Sequence, residues 1–360
     1  MTDESDGRVS VIIPARNEEA NIERAVRSVA AQRGVREIIV ADDQSSDRTG
    51  EILERLGSEI PRLKVIRIES VPRGWMGKAN ALATASRAAT GEWFLFTDAD
   101  TEHRAGSLAT LLARAESENI DLLSLSPGQR VPTWWEKSVI PLVYVSLARR
   151  YKFEEVSDPA SLAAAANGQY ILIRREAYER AGGHEAVRAE ILDDVALARR
   201  VKSRGGRLMF LPGALWSETR MYRSFHEMWE GWTKNLYALY GGKTKNIAGA
   251  AVEVLLTTWM PLVALVIFVF LLFLRSSTDL ASLGAGLGVG VCLPIVIYEQ
   301  WKYRHAIGRL GFELGLAKYL YLGAPLFSLL LLNSARANFL GRVRWKGRDY
   351  ETGKRTRGGE

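Results

Sequence analysis

Cysteine and histidine are scarce in this chain of 360 residues. The one cysteine, Cys292, has no partner within the chain, so it can form neither an internal disulfide nor a thiolate metal cluster. The four histidines show none of the spacings typical of zinc ligands; they are His103, His184, His226 and His305. The sequence therefore favours neither a disulfide-stabilised nor a zinc-dependent protein.

A Walker A loop is also missing. Gly242-Lys243-Thr244 fails because Tyr237 stands where the motif requires its earlier glycine. The glycine-rich, basic segment Arg73–Asn80 fails because no serine or threonine follows Lys78. Lys78 could still meet a diphosphate as a point charge at a helix start, and a simple turn is the alternative.

The chain begins with an acidic, polar segment, Met1–Asp6, so we expect no signal peptide and a first domain that stays in the cytosol. The net charge is +7 and the pI is 9.4. Much of the positive excess lies in Trp301–Arg309 and Arg336–Arg357, which flank apolar segments. This placement predicts attraction to anionic lipid headgroups and no nucleic-acid partner.

Charge almost disappears from long stretches of residues 250–335, the predicted membrane region. Val252–Leu274 and Leu280–Tyr298 are long enough to cross a bilayer, which requires about 20 apolar residues. In the second stretch, small residues four apart predict close packing on another helix. These residues are Gly284, Gly286, Gly288 and Gly290.

A third apolar stretch, residues 316–333, is interrupted by Lys318 and Pro325. The basic tail 336–360 favours a cytosolic carboxyl terminus, which requires an even number of spans. We therefore predict two spans and, over 316–333, an interfacial or re-entrant hairpin bent near Gly323–Pro325. A third full span is the alternative.

Residues 134–152 form a shorter apolar segment with an aromatic start and a basic end. The apolar part is too short to cross a bilayer. A helix lying in the membrane interface and a helix buried in the protein core both fit this pattern.

The first 240 residues alternate strand-like and helix-like stretches, which predicts an α/β fold with a largely parallel sheet. Two strand candidates end in carboxylates: Glu37–Ala41 leads to Asp42-Asp43, and Trp93–Thr97 leads to Asp98-Ala99-Asp100. Ligands bind beyond the carboxyl ends of parallel strands, so both groups face one crevice. Because like charges repel, a hard cation such as Mg²⁺ or Mn²⁺ is the simplest reason to gather them.

Two further segments are candidates for the same crevice. The strand Val9–Ile13 ends at Pro14, and the turn that follows leads to a helix start with free backbone N–H groups for a nucleotide. The candidates there are Pro14, Ala15, Asn17 and Glu18. Asp193-Asp194 lies near the start of a predicted helix, as a general base or only as acidic residues favoured by the helix dipole.

This ordered set of motifs resembles the family 2 inverting glycosyltransferases with a GT-A fold, over residues 8–240. The resemblance implies that Asp43 contacts the nucleotide base, that Asp98 and Asp100 hold the metal and diphosphate, and that Asp194 is the catalytic base. Asn167–Gly183 is similar to the family's acceptor-side element. The acceptor-side candidates are Gly168, Gln169, Asp193, Trp229 and Trp232. For the two tryptophans, anchoring at the membrane interface is the alternative.

Within the family, the chain resembles bacterial membrane enzymes acting on carotenoids or other isoprenoid lipids. More distantly it resembles ceramide glucosyltransferases, whose tail motif is similar to Trp345–Tyr350. Processive polysaccharide synthases carry Gln-x-x-Arg-Trp after the base, and here Met228–Trp232 keeps only the tryptophan. This departure favours transfer of a single sugar.

We therefore expect inverting transfer of one sugar, glucose from UDP-glucose, to a hydroxyl of a membrane lipid. The enzyme would be a multi-pass protein of the cytoplasmic (inner) membrane with its catalytic domain in the cytosol. A polysaccharide or glycolipid chain synthase is the enzymatic alternative. A non-catalytic membrane scaffold that only binds nucleotide is the alternative from another class.

Overall fold

The computed structural model describes residues 7–274, 280–341, 343–345 and 348–350. The chain divides into two units. The first contains Met1–Arg130 and Ala148–Met221, and the second contains Val131–Leu147 and Tyr222–Glu360. The first unit thus ends earlier than the predicted limit at residue 240, and it omits residues 131–147.

The first unit contains ten strands: β1 (Val9–Ala15), β2 (Val35–Asp42), β3 (Leu63–Arg67), β4 (Trp93–Phe96), β5 (Thr101–His103), β6 (Leu122–Ser126), β7 (Gly128–Gln129), β8 (Ile171–Arg174), β9 (Leu208–Pro212) and β10 (Ser217–Thr219). The helices up to the end of this unit are α1 (Ile22–Ala30), α2 (Thr49–Glu59), α3 (Gly77–Ala88), α4 (Ser107–Ser117), α5 (Trp134–Arg150), α6 (Phe153–Ser157), α7 (Arg175–Arg180) and α8 (Asp193–Ser203), with a 3-10 helix at His184–Val187. Helix α5 begins in the second unit and ends in the first.

Seven strands form the central sheet in the order β3-β2-β1-β4-β8-β6-β9. All neighbouring strands are parallel except β8, which is antiparallel to both β4 and β6. Buried apolar side chains cover both faces of the sheet in two separate clusters, because these strands carry apolar residues in near-continuous runs. The predicted α/β class with a largely parallel sheet is confirmed.

The register of the sheet aligns the ends of three strands at one edge. Ala15 at the end of β1 lies opposite Asp42 at the end of β2, and Ile12 lies opposite Phe96 at the end of β4. Strand β1 continues through Pro14, two residues beyond the predicted end at Ile13. Pro14 is tolerated because β4 has already ended where the missing N–H would have donated.

Strand β8 determines what lies beside this edge. Its first residue, Ile171, pairs with Phe96, the last residue of β4. Because the two strands are antiparallel, the loop that enters β8 lies next to the turn that leaves β4. A small sheet, β5-β10-β7, continues from the same turn, and there the Thr219 hydroxyl donates to the Asp100 carbonyl at 3.0 Å.

The second unit is mainly helical. Its elements are α9 (Phe225–Leu239), α10 (Thr244–Val254), a π-helical turn (Leu255–Trp259), α11 (Met260–Phe273), α12 (Leu280–Arg309), a 3-10 helix (Leu314–Tyr319), α13 (Leu320–Phe339), and the antiparallel strands β11 (Val343–Trp345) and β12 (Arg348–Tyr350). Among the described residues, three helical segments are long and apolar enough to cross a membrane: Thr244–Phe273, Ser282–Arg309 and Leu314–Phe339.

Helix α13 corrects one expectation from the sequence. The hairpin predicted near Gly323–Pro325 is not formed, because α13 runs through Pro325 without a break. Pro325 lies one turn and a half into the helix, so it removes only the bond to the Tyr321 carbonyl. Half of the most apolar window of this helix is buried within the protein, whereas the other two segments are almost entirely exposed.

Helix α5 contains the segment for which the sequence left two alternatives open, a helix in the membrane interface and a helix in the protein core. Residues 138–145 are all buried, as expected for a core helix and not for one lying in the membrane interface. A side-chain carbon at Gly323 of α13 would collide with the Ser138 carbonyl of α5, so the two helices are in direct contact.

Of the four glycines predicted to pack helix α12, only Gly288 lies against a neighbour. A side-chain carbon there would come within 2.5 Å of the Phe268 ring of α11. Gly284, Gly286 and Gly290 have nothing within 4 Å among the described residues. The predicted close approach is therefore present at one glycine, and not at the other three.

Replacing Gly288 by leucine should separate α11 from α12, because the Phe268 ring occupies the space that the new side chain needs. We expect the detergent-solubilised protein to lose on the order of 10 °C in melting temperature, about the effect of an overpacked core site. Gly284→Leu is the matched control on the same helix, where space is open. Equal melting temperatures for the two variants would contradict this contact.

Candidate active site

The turn after β1 and the turn after β2 bind each other at the carboxyl edge of the sheet. The Asp43 N–H donates to the Ala15 carbonyl at 2.8 Å, and the Arg16 guanidinium donates to the Asp43 carbonyl at 2.7 Å. Asp43 itself is buried. The predicted nucleotide-side residues Pro14, Ala15 and Asp43 thus lie together.

Asn17 and Glu18 complete this pair of turns. Asn17 adopts a positive φ of 52°, and its side-chain carbonyl accepts the Ser46 N–H at 2.8 Å. The Glu18 N–H donates to the Thr49 hydroxyl at 2.8 Å. Asp47 accepts the Thr49 N–H at the start of α2, at 3.0 Å. The structure therefore places all the predicted nucleotide-side residues of β1 and β2 at one edge.

Lys78 and Asp98 form an ion pair across this edge. The Lys78 Nζ atom, in the first turn of α3, lies 2.6 Å from Asp98 Oδ1, and both side chains are partly exposed. Burial lowers the pKa of Lys78, but attraction to Asp98, Asp193 and Asp194 outweighs burial and raises it above its ordinary value. Lys78 is therefore a permanent positive charge among three carboxylates.

Gly168 brings the Asp98 region and the Asp194 region together. Its N–H donates to Asp194 Oδ2 at 2.9 Å. A side-chain carbon on Gly168 would lie 2.8 Å from Lys78 Nζ and 3.5 Å from Asp194 Oδ2. Any larger residue would therefore displace the lysine, and the absence of a side chain is what allows this close approach.

Asp194 is held by two backbone groups. Besides the bond from Gly168, its Oδ1 atom accepts the Val195 N–H at 2.7 Å. Burial and the negative charge of Asp193 raise the pKa of Asp194 to about 6, against the lowering effects of Lys78 and the two N–H donors. A carboxyl group with a pKa near neutrality, fixed in orientation, is suited to accept a proton.

Asp193 and Gln169 are buried beside these residues. Asp193 begins helix α8, and Gln169 lies in the loop that enters β8. The Gln169 carbonyl accepts the Thr97 hydroxyl at 2.8 Å, which fastens this loop to the residue before Asp98. Asp100 lies two residues after Asp98. Its carbonyl accepts the Thr219 hydroxyl, and its carboxylate lies 3.3 Å from the Thr101 hydroxyl.

The carboxylates of Asp98 and Asp100 fit a hard divalent cation by their chemistry, since both supply oxygen ligands. The described residues contain no cluster of three or more histidine, cysteine, aspartate or glutamate side chains arranged for a metal. A cation held by these two aspartates would therefore need further oxygens from the diphosphate and water, as is usual for Mg²⁺.

The two predicted acceptor-side tryptophans belong to the second unit. Trp229 stacks on Phe225 with ring centroids 5.6 Å apart. Trp232 is buried, and it packs edge-on against Tyr144 and Tyr222 at 6.2 Å. Trp232 is thus a core residue of its unit, and the assignment of both tryptophans to the acceptor stays a prediction.

Sequence reasoning missed Thr97 and His103. Thr97 is buried, and its hydroxyl lies 3.0 Å from His103 Nε2 and 2.8 Å from the Gln169 carbonyl. The polar character of Thr97 at the end of an aromatic strand was the available signal. The partner of its hydroxyl is 72 residues away in sequence, so the contact itself leaves no local pattern.

Comparisons with known proteins agree with this geometry. The model of the family named Glycosyl transferase family 2 matches residues 10–182. A 4,4'-diaponeurosporenoate glycosyltransferase of Staphylococcus aureus (strain USA300) is 25% identical over 365 residues, which cover 96% of this chain and 89% of that protein. A protein of the same name from Staphylococcus haemolyticus is 26% identical over 236 residues, covering 65% of this chain and 62% of that protein.

The fold is shared with a solved mannosyltransferase of Pyrobaculum calidifontis, whose structure is in complex with GDP-Man and Mn²⁺. The TM-score is 0.54 at 21% identity, over 94% of this chain and 88% of that one. Three findings support one conclusion: the shared fold, the carboxylates gathered at one edge of the sheet, and the family match. Residues 10–182 form a Glycosyl transferase family 2 domain, and the protein is a glycosyltransferase.

Proposed function

We propose that the protein transfers a single sugar, glucose from UDP-glucose, to a hydroxyl group of a membrane lipid such as a carotenoid or another isoprenoid, with inversion at the anomeric carbon. The observation that carries this proposal is the meeting of Asp98, Lys78, Gly168 and Asp194 at one edge of the sheet. This arrangement puts a diphosphate-binding charge beside a proton acceptor.

Asp194 is the general base in this mechanism. Its carboxylate takes the proton of the acceptor hydroxyl, whose oxygen attacks the anomeric carbon from the face opposite the diphosphate. The bond between that carbon and the diphosphate oxygen breaks, and UDP leaves with the bonding electrons. The N–H groups of Gly168 and Val195 hold the carboxylate in place during this transfer. Each of its two oxygens accepts one backbone hydrogen bond, which fixes its orientation.

The leaving diphosphate would be stabilised by Lys78, Asp98 and Asp100. The ammonium of Lys78 would compensate the charge that develops on the diphosphate. Asp98 and Asp100 would hold Mg²⁺ or Mn²⁺, which supplies Lewis-acid stabilisation of the same charge when bound. The P. calidifontis mannosyltransferase binds Mn²⁺ and a nucleotide-sugar on the same fold, which supports this assignment.

The nucleotide base would lie at Asp43 and the turn Pro14–Glu18, where the two turns are bonded to each other. Gln169 and Asp193, with Gly168, would face the acceptor. The names of the staphylococcal relatives support an isoprenoid acceptor. Those names denote a carboxylate acceptor, which is ionised at neutral pH and would need no general base.

Asp194→Asn should reduce sugar transfer by about 10²–10⁴-fold, because an amide cannot accept the proton. Donor affinity should change little, because Lys78 and Asp98 are unchanged, although the amide nitrogen can no longer accept one of the two backbone hydrogen bonds. The assay incubates membranes with radiolabelled UDP-glucose and Mg²⁺ or Mn²⁺, extracts the lipids, and counts sugars per product molecule. Asp158→Asn, at an exposed position of the same unit, is the control.

For the parent enzyme, kcat/KM should fall as the pH decreases through about 6, because Asp194 must be ionised to act and its pKa is raised to about 6. Asp194→Asn should lose this acid limb together with its activity. Turnover of the variant within a few-fold of the parent would move the base to Asp193 or Glu190, or would indicate a carboxylate acceptor. Products that carry long sugar chains would indicate a polysaccharide or glycolipid synthase. If the parent protein shows no turnover, it would be a nucleotide-binding scaffold.

Asp100→Ala should weaken donor binding chiefly when metal is present, because the lost carboxylate would be a metal ligand. Calorimetry of UDP binding with and without Mn²⁺ measures this, with Asp158→Ala as the control. We expect a loss of about tenfold or more with Mn²⁺ and a clearly smaller loss without it. Equal losses under both conditions would exclude Asp100 as a metal ligand.

The membrane arrangement follows from the second unit. We propose that Thr244–Phe273 and Ser282–Arg309 cross the cytoplasmic membrane, since both are apolar and exposed. Helix α13 would lie along the protein at the membrane surface. The Ser334 hydroxyl donates to the Thr233 carbonyl of α9, and Asn333 donates to the Thr233 hydroxyl. Helix α9 also carries Glu227, Glu230 and Lys234, charges that a bilayer core disfavours.

Two spans place the catalytic domain and the basic tail in the cytosol. The tail from 351 to 360 lies outside the described residues, as does the connection 275–279. In a Cys292→Ala background, a cysteine at Gly358 should resist an impermeant thiol reagent in intact cells and react after permeabilisation. A cysteine at Thr278 should react in intact cells. Labelling of Gly358→Cys in intact cells would establish three spans.

A further inference from the structure

The loop that enters β8 is fastened to both halves of the active site. On one side the Gly168 N–H donates to Asp194. On the other side the Gln169 carbonyl accepts the Thr97 hydroxyl at 2.8 Å, immediately before Asp98. Because Gly168 and Gln169 are adjacent, the bond to the Gln169 carbonyl restrains the loop next to the Gly168 N–H.

The contact between Thr97 and His103 has only one arrangement of protons. A carbonyl cannot donate, so the single proton of the Thr97 hydroxyl is used in the bond to Gln169. His103 Nε2, 3.0 Å from the same hydroxyl oxygen, must therefore carry a proton and donate it to Thr97. Burial lowers the pKa of His103 to about 4, so the ring is neutral at working pH and its Nδ1 atom is an acceptor.

Two residues with buried hydroxyls, Tyr170 and Ser217, adjoin His103. The Nδ1 atom, the Tyr170 hydroxyl and the Ser217 hydroxyl are buried without a hydrogen-bond partner in the described part of the chain. Ser217 lies opposite His103 in the β5–β10 register, and the Tyr170 ring centroid is 5.3 Å from that of His103. An unprotonated Nδ1 requires a donor, and these hydroxyls would reach it through a bridging buried water. Tyr170 also follows Gln169 in the same loop.

We propose that His103 and Thr97 are positioning residues for the catalytic base: they hold the Gln169 carbonyl and thereby direct the Gly168 N–H to Asp194. Neither residue touches the reacting atoms in this role. The proposal rests on the assignment of Asp194 as the base. The charged and titratable groups that act on Asp194 are Asp193 beside it, Lys78 from α3 and Tyr151.

The Gly168 N–H favours the ionised form of Asp194, so a change that releases the loop should make the base harder to ionise. Thr97→Val keeps the shape of the side chain and removes the hydroxyl that both partners need. We expect kcat to fall about tenfold, the KM for UDP-glucose to stay within about twofold, and the acid limb of kcat/KM to move upward by about one pH unit. Thr97→Ser should restore all three.

His103 provides a second pair of variants. His103→Gln can still donate an N–H towards Thr97, whereas His103→Leu cannot. The glutamine variant should lie closer to the parent in kcat and in its acid limb. This pair gives the same comparison if Thr97→Val does not accumulate as folded protein.

Ser10→Ala is the matched control, because it also removes one buried hydroxyl from the central sheet. Ser10 lies near the opposite end of β1, where its hydroxyl bonds Glu37 and the Gly91 N–H. This variant should lose stability without moving the acid limb. An acid limb that moves equally in Ser10→Ala would show a general structural effect and overturn the proposal.

Measuring Asp194→Asn in the same assay distinguishes a failure of the positioning role from a failure of the base assignment. If it is inactive while Thr97→Val keeps the kcat and the acid limb of the parent, the positioning role is wrong and the base assignment stands. If Asp194→Asn remains active, the base assignment is wrong and the positioning role falls with it.

Discussion

Three carboxylates share one ammonium group at the edge of the sheet. Asp98 is paired with Lys78, and Asp193 and Asp194 are attracted to the same charge. Burial and the negative charge of Asp193 raise the pKa of Asp194, and the positive charge of Lys78 opposes this rise. The ion pair with Asp98 therefore holds Lys78 where its charge also acts on Asp194.

The antiparallel strand β8 is what connects the two halves of this site. In an all-parallel sheet, the segment entering β8 would lie at the amino edge, far from Asp98. Because β8 runs against β4, Ile171 lies beside Phe96, and the loop before it lies beside the turn after β4. Gly168 can then approach Lys78 and Asp194 closely, which a residue with a side chain could not do.

The apolar helices of the second unit differ in how much of their surface is buried. Helices α11 and α12 leave most of their apolar side chains unburied and contact each other at Phe268 and Gly288, as expected of segments that face lipid on their other sides. Helix α5 buries residues 138–145, and α13 buries about half of its most apolar window, with Gly323 against the Ser138 carbonyl. Apolar helices of this unit thus differ in how much of their surface the rest of the protein covers.

The sequence by itself determined the α/β class, the glycosyltransferase family and the order of acidic motifs. The α/β class follows from strand periodicity, and the family follows from the resemblance of the ordered motifs, which include carboxylates placed directly after strands such as Trp93–Phe96; these signals are local in the chain. It could not determine that α13 passes through Pro325, that among the described residues only Gly288 of the four glycines meets a neighbour, or that α5 is buried. Each of these depends on which distant residues fill the neighbouring space.

The pairing of Thr97 with Gln169, and of Gly168 with Asp194, was likewise decided only by the tertiary structure. These contacts join residues 72 and 26 positions apart, so no periodicity records them. Lys78 was predicted to meet a diphosphate, and its carboxylate partner Asp98 emerged only when α3 and β4 were placed at the same edge. Local sequence determines which groups are available, and the fold determines which of them share a charge or a proton.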